Sequence, residues 1–259
     1  SMKTFLPVVL FVLTFLFSCT NKGDEIPLPE HPRPDFERPV WKNLNGRWSF
    51  KPDSANVGLS ESWQNQPEFF DHTILVPFSW ASSLSGIEMP EVNVGWYSRA
   101  FKFENSKKWK EKDKYLVFSA SDFNTTVWIN GKEAGKHSVG YVQFDFNISE
   151  FLIECENKIV VRVEDEELDN RPSGKQYYGN EKGIWNTVYL EARPENYIRQ
   201  IKFTPDIDKK QVAVEVFLAK SAAKNLVFNL KGKNNSIYFS GEIAANQPSE
   251  KFIIPIENI

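Results

Sequence analysis

The sequence predicts an all-β chain, with one complete β-sandwich over residues 38–194 and an incomplete second one over 195–259. Three observations carry this. Aromatic residues are abundant, with 21 Phe, 8 Trp and 8 Tyr against 2 Met, and pleated sheet surfaces suit such side chains. From Val40 onward, short β-rich runs alternate with turn-forming clusters, and helix-periodic stretches are few. At Arg193-Pro-Glu-Asn196 aromatic density falls and plain alternation takes over, which marks a boundary between two units.

The 259 residues are 41% hydrophobic and 25% charged, ordinary for a globular protein. A net charge of -3 leaves no basic footprint, so nucleic acid is not an expected partner.

Ser1 ahead of Met2 reads as an appended residue. Lys3 leads into the apolar run Phe5 to Phe17, too short to span a bilayer but suited to a signal-peptide core. It ends at Leu16-Phe-Ser-Cys19, which resembles a bacterial lipobox, so residues 1–19 are expected to direct export to the cell envelope and Cys19 to carry lipid. Residues 20–37, polar and then Pro-rich, read as a solvated tether. With Cys19 lipidated, Cys155 has no disulfide partner and is expected to be a buried structural thiol.

In the first unit, Tyr97 to Phe103 places its bulkier residues at odd positions, and Lys114 to Ala120 is nearly continuous in apolar character, as a central strand would be. Asn130-Gly131 is a strong hairpin signal, because a type I′ turn needs positive φ at both residues; it pairs Thr126–Ile129 with Lys132–Gly135. Further strands are expected at Thr73–Val76, Val142–Phe146, Lys158–Val163 and Thr187–Ala192, with a helical turn capped by Ser149. About eight such strands suit a jelly roll. In the second unit, strands are expected at Tyr197–Phe203, Val212–Leu218, Leu226–Leu230, Ile237–Phe239 and Phe252–Ile256. An immunoglobulin-like sandwich needs about seven strands, so this one reads as truncated or as completed by another chain.

Candidate chemistry is sparse. His31, His72 and His137 lie too far apart in sequence for a zinc pattern, so no metal site and no cofactor are expected. The densest carboxylate run, Glu164-Asp-Glu-Glu167 with Asp169, reads as an exposed acidic loop, since a retaining glycosidase needs two carboxyls about 5 Å apart around one bond. Trp80, Trp96, Trp128 and Trp185 could stack on sugar faces, but taken singly each reads more readily as packing.

Several segments, in order, carry a resemblance: Trp41-Lys-Asn-Leu-Asn-Gly-Arg-Trp-Ser-Phe50, Val76-Pro-Phe-Ser-Trp80, Val94 to Phe101, the hairpin Thr125 to Gly135, and Gly183-Ile-Trp-Asn-Thr-Val-Tyr-Leu-Glu191. From about Arg38 to Ile259 the chain resembles the N-terminal region of glycoside hydrolase family 2, the β-galactosidases, β-glucuronidases and β-mannosidases. The resemblance implies a galactose-binding-like jelly roll followed by an immunoglobulin-like domain. It also implies a retaining acid–nucleophile mechanism whose two glutamates lie in a later (β/α)8 barrel, so this chain alone is expected to hold no catalytic residue. In β-galactosidases and β-glucuronidases of the family, a loop just before the glycine–isoleucine strand sends an aspartate into the sugar pocket. Here that loop, Gly174 to Lys182, has no aspartate and places Tyr177 about where one is expected; Gln176, Asn180 and Glu181 are the substitutes it offers for sugar binding. The expected partners are carbohydrate, the catalytic barrel and, through the lipid, a membrane. The alternatives are a stand-alone carbohydrate-binding surface lipoprotein and a purely structural sandwich.

Overall fold

A computed structural model describes residues 26–103, 106–165, 181–220, 225–231, 237–244 and 246–256. In chain order the strands of the first unit are β1 (Trp41–Asn43), β2 (Gly46–Pro52), β3 (His72–Val76), β4 (Val94–Phe101), β5 (Asp113–Phe118), β6 (Asn124–Ile129), β7 (Lys132–Ser138), β8 (Phe144–Asn147), β9 (Asn157–Glu164) and β10 (Val188–Arg193). The second unit contributes β11 (Ile198–Asp206), β12 (Gln211–Leu218), β13 (Leu226–Lys231), β14 (Ile237–Ile243) and β15 (Ser249–Pro255). One short helix, α1 (Lys107–Lys110), and a few 3₁₀ turns complete the described residues.

A four-stranded sheet, β1-β10-β5-β8, faces a six-stranded sheet, β3-β2-β4-β9-β6-β7, and every pairing is antiparallel. This is the jelly-roll sandwich. Its core takes Leu116, Phe118, Val188 and Leu190 from the first sheet and Trp48, Phe50, Tyr97, Val127, Ile129 and Val161 from the second. The β6–β7 hairpin turns at Asn130 and Gly131 with φ of 52° and 80°, as the Asn-Gly signal required. Its ladder slips once, between Val127 and Trp128.

Two strands are buried on both faces, for different reasons. On β4 the odd positions Tyr97 and Phe101 join the core, but Trp96 is equally buried on the opposite face, where it stacks on Trp128 at 5.4 Å. The segment between β2 and β3 covers that face: Asp53 accepts from the backbone N–H of Val57 (2.8 Å) and Gly58 (2.9 Å) and from Trp96 Nε1 (3.0 Å). On β10 the outward residues Tyr189, Glu191 and Arg193 are buried beneath the chain that precedes β1 and the start of β11.

That burial corrects the tether reading in part. His31 is buried, edge-on to Trp41 at 4.7 Å and to Tyr189 at 5.6 Å. Asn43 and Asn45 donate to the carbonyls of Leu28 and Pro27, so residues from Pro27 onward are laid against the sandwich. Three further expectations change. Cys155 is exposed, because it falls in the bend before β9 rather than on a core-facing strand position. The 3₁₀ turn Ser149–Phe151 forms, but Ile148 occupies its capping position; the Ser149 hydroxyl accepts from Lys114 N–H at 2.8 Å instead. The strand expected from Val142 begins only at Phe144, leaving Tyr141 and Val142 exposed.

The second unit packs β11-β12-β15 with the pair β13-β14 around Val214, Val216, Leu218, Ile243 and Ile254, in immunoglobulin-like fashion. Phe203, opposite Val214 in the ladder and therefore on the same face, is still 58% exposed.

Candidate functional site

The segment singled out by sequence leaves the sandwich after β9 and returns just before β10. Gln176 and Asn180 lie outside the described residues, as do Tyr177, Glu166, Glu167 and Asp169; Glu181 is exposed. The two feet of this segment are fixed to one residue. Asp165 N–H donates to Asn93 O at 2.8 Å, and Lys182 Nζ donates to Asn93 Oδ1 at 2.8 Å and to Pro90 O at 3.0 Å. Lys182 is 1% exposed and Asp165 4%. Buried ammonium and carboxylate groups are costly without partners, so these two anchor the segment. Asp165 is thus not part of a solvated acidic loop, and Glu164 pairs with Arg162 at 3.1 Å.

The chain next turns through Gly183 at φ +84°. Gly183 forms a two-way bridge with Asp122, donating at 2.7 Å and accepting at 2.9 Å. A Cβ at Gly183 would collide with the Tyr97 hydroxyl and the Trp80 ring. The Tyr97 hydroxyl accepts from Ile184 N–H at 3.2 Å, and burial pushes its pKa above the ordinary tyrosine range. Only glycine satisfies both the backbone and the space here.

Around this foot the fold gathers binding groups from distant positions. Asp122 precedes β6, joined to Phe123 by a cis peptide, and its carboxylate packs over Gly140. Trp185 is half-buried; its Nε1 donates to Gly140 O at 2.9 Å and its ring lies 5.4 Å from that of Tyr141, which is 76% exposed. A carboxylate, an aromatic pair and the exposed Glu181 therefore border the returning segment. Such a surface can accept sugar hydroxyls and pack C–H faces.

Of the four tryptophans considered from sequence, Trp80, Trp96 and Trp128 are buried and Trp185 alone meets solvent. Asp122, Tyr141 and Asn93 were not singled out by sequence reasoning, since no local pattern sets them apart from ordinary residues beside strands. The histidines stay apart: His72 pairs with Asp71 at 2.8 Å, and His137 stacks on Phe144 at 4.0 Å. Among the described residues no cluster of metal-ligating side chains forms.

The family model for glycosyl hydrolases family 2, sugar binding domain, matches residues 41–194. A provisionally named β-glucuronidase of Formosa agariphila is 31% identical over 230 residues, which span 80% of this chain and 21% of that protein. A β-galactosidase of Thermoanaerobacter pseudethanolicus is 31% identical over 143 residues, 53% of this chain and 19% of that protein. Among solved structures, a β-glucuronidase of an uncultured Clostridium species superposes with a TM-score of 0.68 at 21% identity, covering 86% of this chain and 41% of that one. The chain thus spans about a fifth of these curated relatives and two fifths of the solved neighbour, and the latter likeness is one of fold. Sandwich, anchored segment and family match converge, and the chain belongs to glycoside hydrolase family 2, with residues 41–194 forming the family's sugar-binding domain.

Proposed function

We propose that this chain forms the non-catalytic wall of the sugar site in an exported retaining β-glycosidase of the β-glucuronidase or β-galactosidase kind. The observation that carries the reading is the pair of anchors that flank residues 166–180, Asp165 and Lys182 on Asn93, with Asp122, Tyr141 and Trp185 gathered beside Gly183. Relatives named β-glucuronidase and β-galactosidase support the substrate class. In such an enzyme two carboxyls about 5 Å apart perform the chemistry, and the family resemblance puts them in a barrel. The sandwich then orients the sugar and excludes water, with Gln176, Asn180 and Glu181 as its direct contacts. The test is an assay of the purified chain on aryl β-galactoside, β-glucuronide and β-mannoside. No turnover is expected. Turnover abolished by a single carboxylate substitution within residues 38–259 overturns the non-catalytic role.

Export and anchoring belong to the same proposal and rest on the lipobox-like Leu16-Phe-Ser-Cys19. A single acyl chain anchors only marginally, whereas a lipidated cysteine carrying several acyl chains holds stably. Expressed with its leader in bacteria, the protein should enter the detergent phase and Cys19→Ser should not; equal partitioning of both rejects the anchor. A second reading, a stand-alone glycan-binding lipoprotein, is favoured by the exposed Tyr141 beside Trp185. Saturable quenching of Trp185 fluorescence by oligosaccharide, lost in Trp185→Ala, would select it.

A further inference from the structure

The outward face of β10 holds a second polar site, which shares no lining residue with the surroundings of Gly183. Arg33, Arg38, Arg193 and Arg199 line a cavity of about 140 Å³ together with Asp145 and Glu191. A single water needs only about 10–15 Å³ by this measure, so the space admits a small organic group. Arg193, 5% exposed, grips Asp145 at 2.9 Å and Glu191 at 3.1 Å, and Arg38 Nε meets Glu191 at 2.9 Å. Arg33 is held by Asp35 at 2.8 Å, and Arg199 has no ion-pair partner among the described residues. Four guanidinium groups thus line the cavity with two carboxylates, and with Arg33 neutralised by Asp35 outside the lining one positive charge, that of Arg199, is left over.

Three buried polar atoms of the cavity wall make no hydrogen bond, one of them Glu191 Oε1, which meets Arg38 as an ion pair only. Arg193 Nε, on a nearly inaccessible side chain, donates to nothing, and Gln143 Oε1 on the same cavity wall accepts from nothing. Burying an unsatisfied donor costs about 1–3 kcal/mol. Aromatic walls complete the space: Arg38 lies 4.9 Å from the Phe36 ring and 5.0 Å from that of Tyr197. Burial pulls Arg38 below its ordinary pKa against the pull of Glu191, whereas for Arg193 burial is outweighed by Asp145 and Glu191, which hold it above its own.

We propose that this cavity binds one carboxylate group, borne by a small organic acid or by an acidic sugar. The planar guanidinium fork matches a carboxylate two bonds at a time. One surplus charge suits a monoanion, and the aromatic walls suit the carbon frame attached to it. The site goes beyond the sugar-site reading above and does not depend on it.

Titration of the purified protein with acetate, glucuronate, sulfate and chloride at matched ionic strength, and with glucose, followed by arginine Nε–H resonances, tests this. Saturable shifts of Arg193 and Arg199 with the carboxylates alone are expected. Exposed Arg199→Gln, which should leave the fold intact, should weaken binding roughly tenfold, the loss expected for one charge-assisted hydrogen bond. Tighter binding of glucuronate than of acetate identifies the acidic sugar as source, and equal binding a free acid. No saturable shift, equal shifts with chloride, tighter binding of sulfate, or unchanged affinity in Arg199→Gln would each overturn the proposal.

Discussion

Gly183 shows how one position ties the family motif to the geometry of the site. Its φ of +84° and its packing against Tyr97 and Trp80 let the returning chain bridge to Asp122 and release Trp185 toward Tyr141. Gly183→Ala should destabilise by about 2–4 kcal/mol, combining a left-handed residue with overpacking, and urea denaturation measures it. A loss under about 0.5 kcal/mol, the scale of an ordinary surface substitution, would show that the backbone accommodates the methyl freely. The Gly183-Ile184-Trp185 motif was legible in sequence, but its partners were not. Asp122 lies some sixty residues upstream and reads there as an ordinary polar residue before a strand. Its role appears only when β6 and the approach to β10 are placed side by side. Cys155 failed for a related reason: the lack of a thiolate-stabilising neighbour in sequence says nothing about which way a bend turns its side chain.

Among the elements, strands were easier to read than what covers them. Period-two alternation and Asn130-Gly131 placed most strands and the β6–β7 hairpin close to their observed bounds, since both signals are local. Trp96 could not be assigned a face from alternation, because β4 is buried on both sides. The covering segment between β2 and β3 has no regular strand pattern and is organised by one buried carboxylate, that of Asp53. Asp53→Ala leaves the donors of Val57, Gly58 and Trp96 unpaired and should cost about 2–4 kcal/mol. Faster amide exchange at Val57 and Gly58 should accompany that loss. Unchanged exchange there would mean that the Trp96–Trp128 stack alone holds the covering segment. The docked stretch around His31 escaped reading for the same reason: Pro-rich composition resembles a tether whether or not the surface beneath it accepts the chain.

At the scale of the molecule, the two units differ in how much they bury. The jelly roll closes a large core between sheets of four and six strands, whereas among the described residues the second unit surrounds five buried ones and leaves Phe203 largely exposed. Opening free energy follows buried apolar contact. Amides of Leu116–Phe118 and Val160–Val163 should therefore exchange far more slowly than those of Val212–Leu218 in a verified monomer at low concentration. Uniform protection would make the two units one cooperative block, held across the junction where Arg38 donates to Ile198 O and stacks on Tyr197.

The bonding of both Asp165 and Lys182 to Asn93 has a consequence for how such a protein diversifies. With Asp165 and Lys182 both held by Asn93, the points where the chain leaves β9 and re-enters before Gly183 are set by the sandwich itself. Lengthening a closed loop is also cheap, about 0.6 kcal/mol for each doubling. The stretch between these two residues can therefore change in length at little cost in closure entropy. Sequence can drift there while Asp165, Lys182 and Gly183 stay put, like a replaceable key cut on a permanent shank.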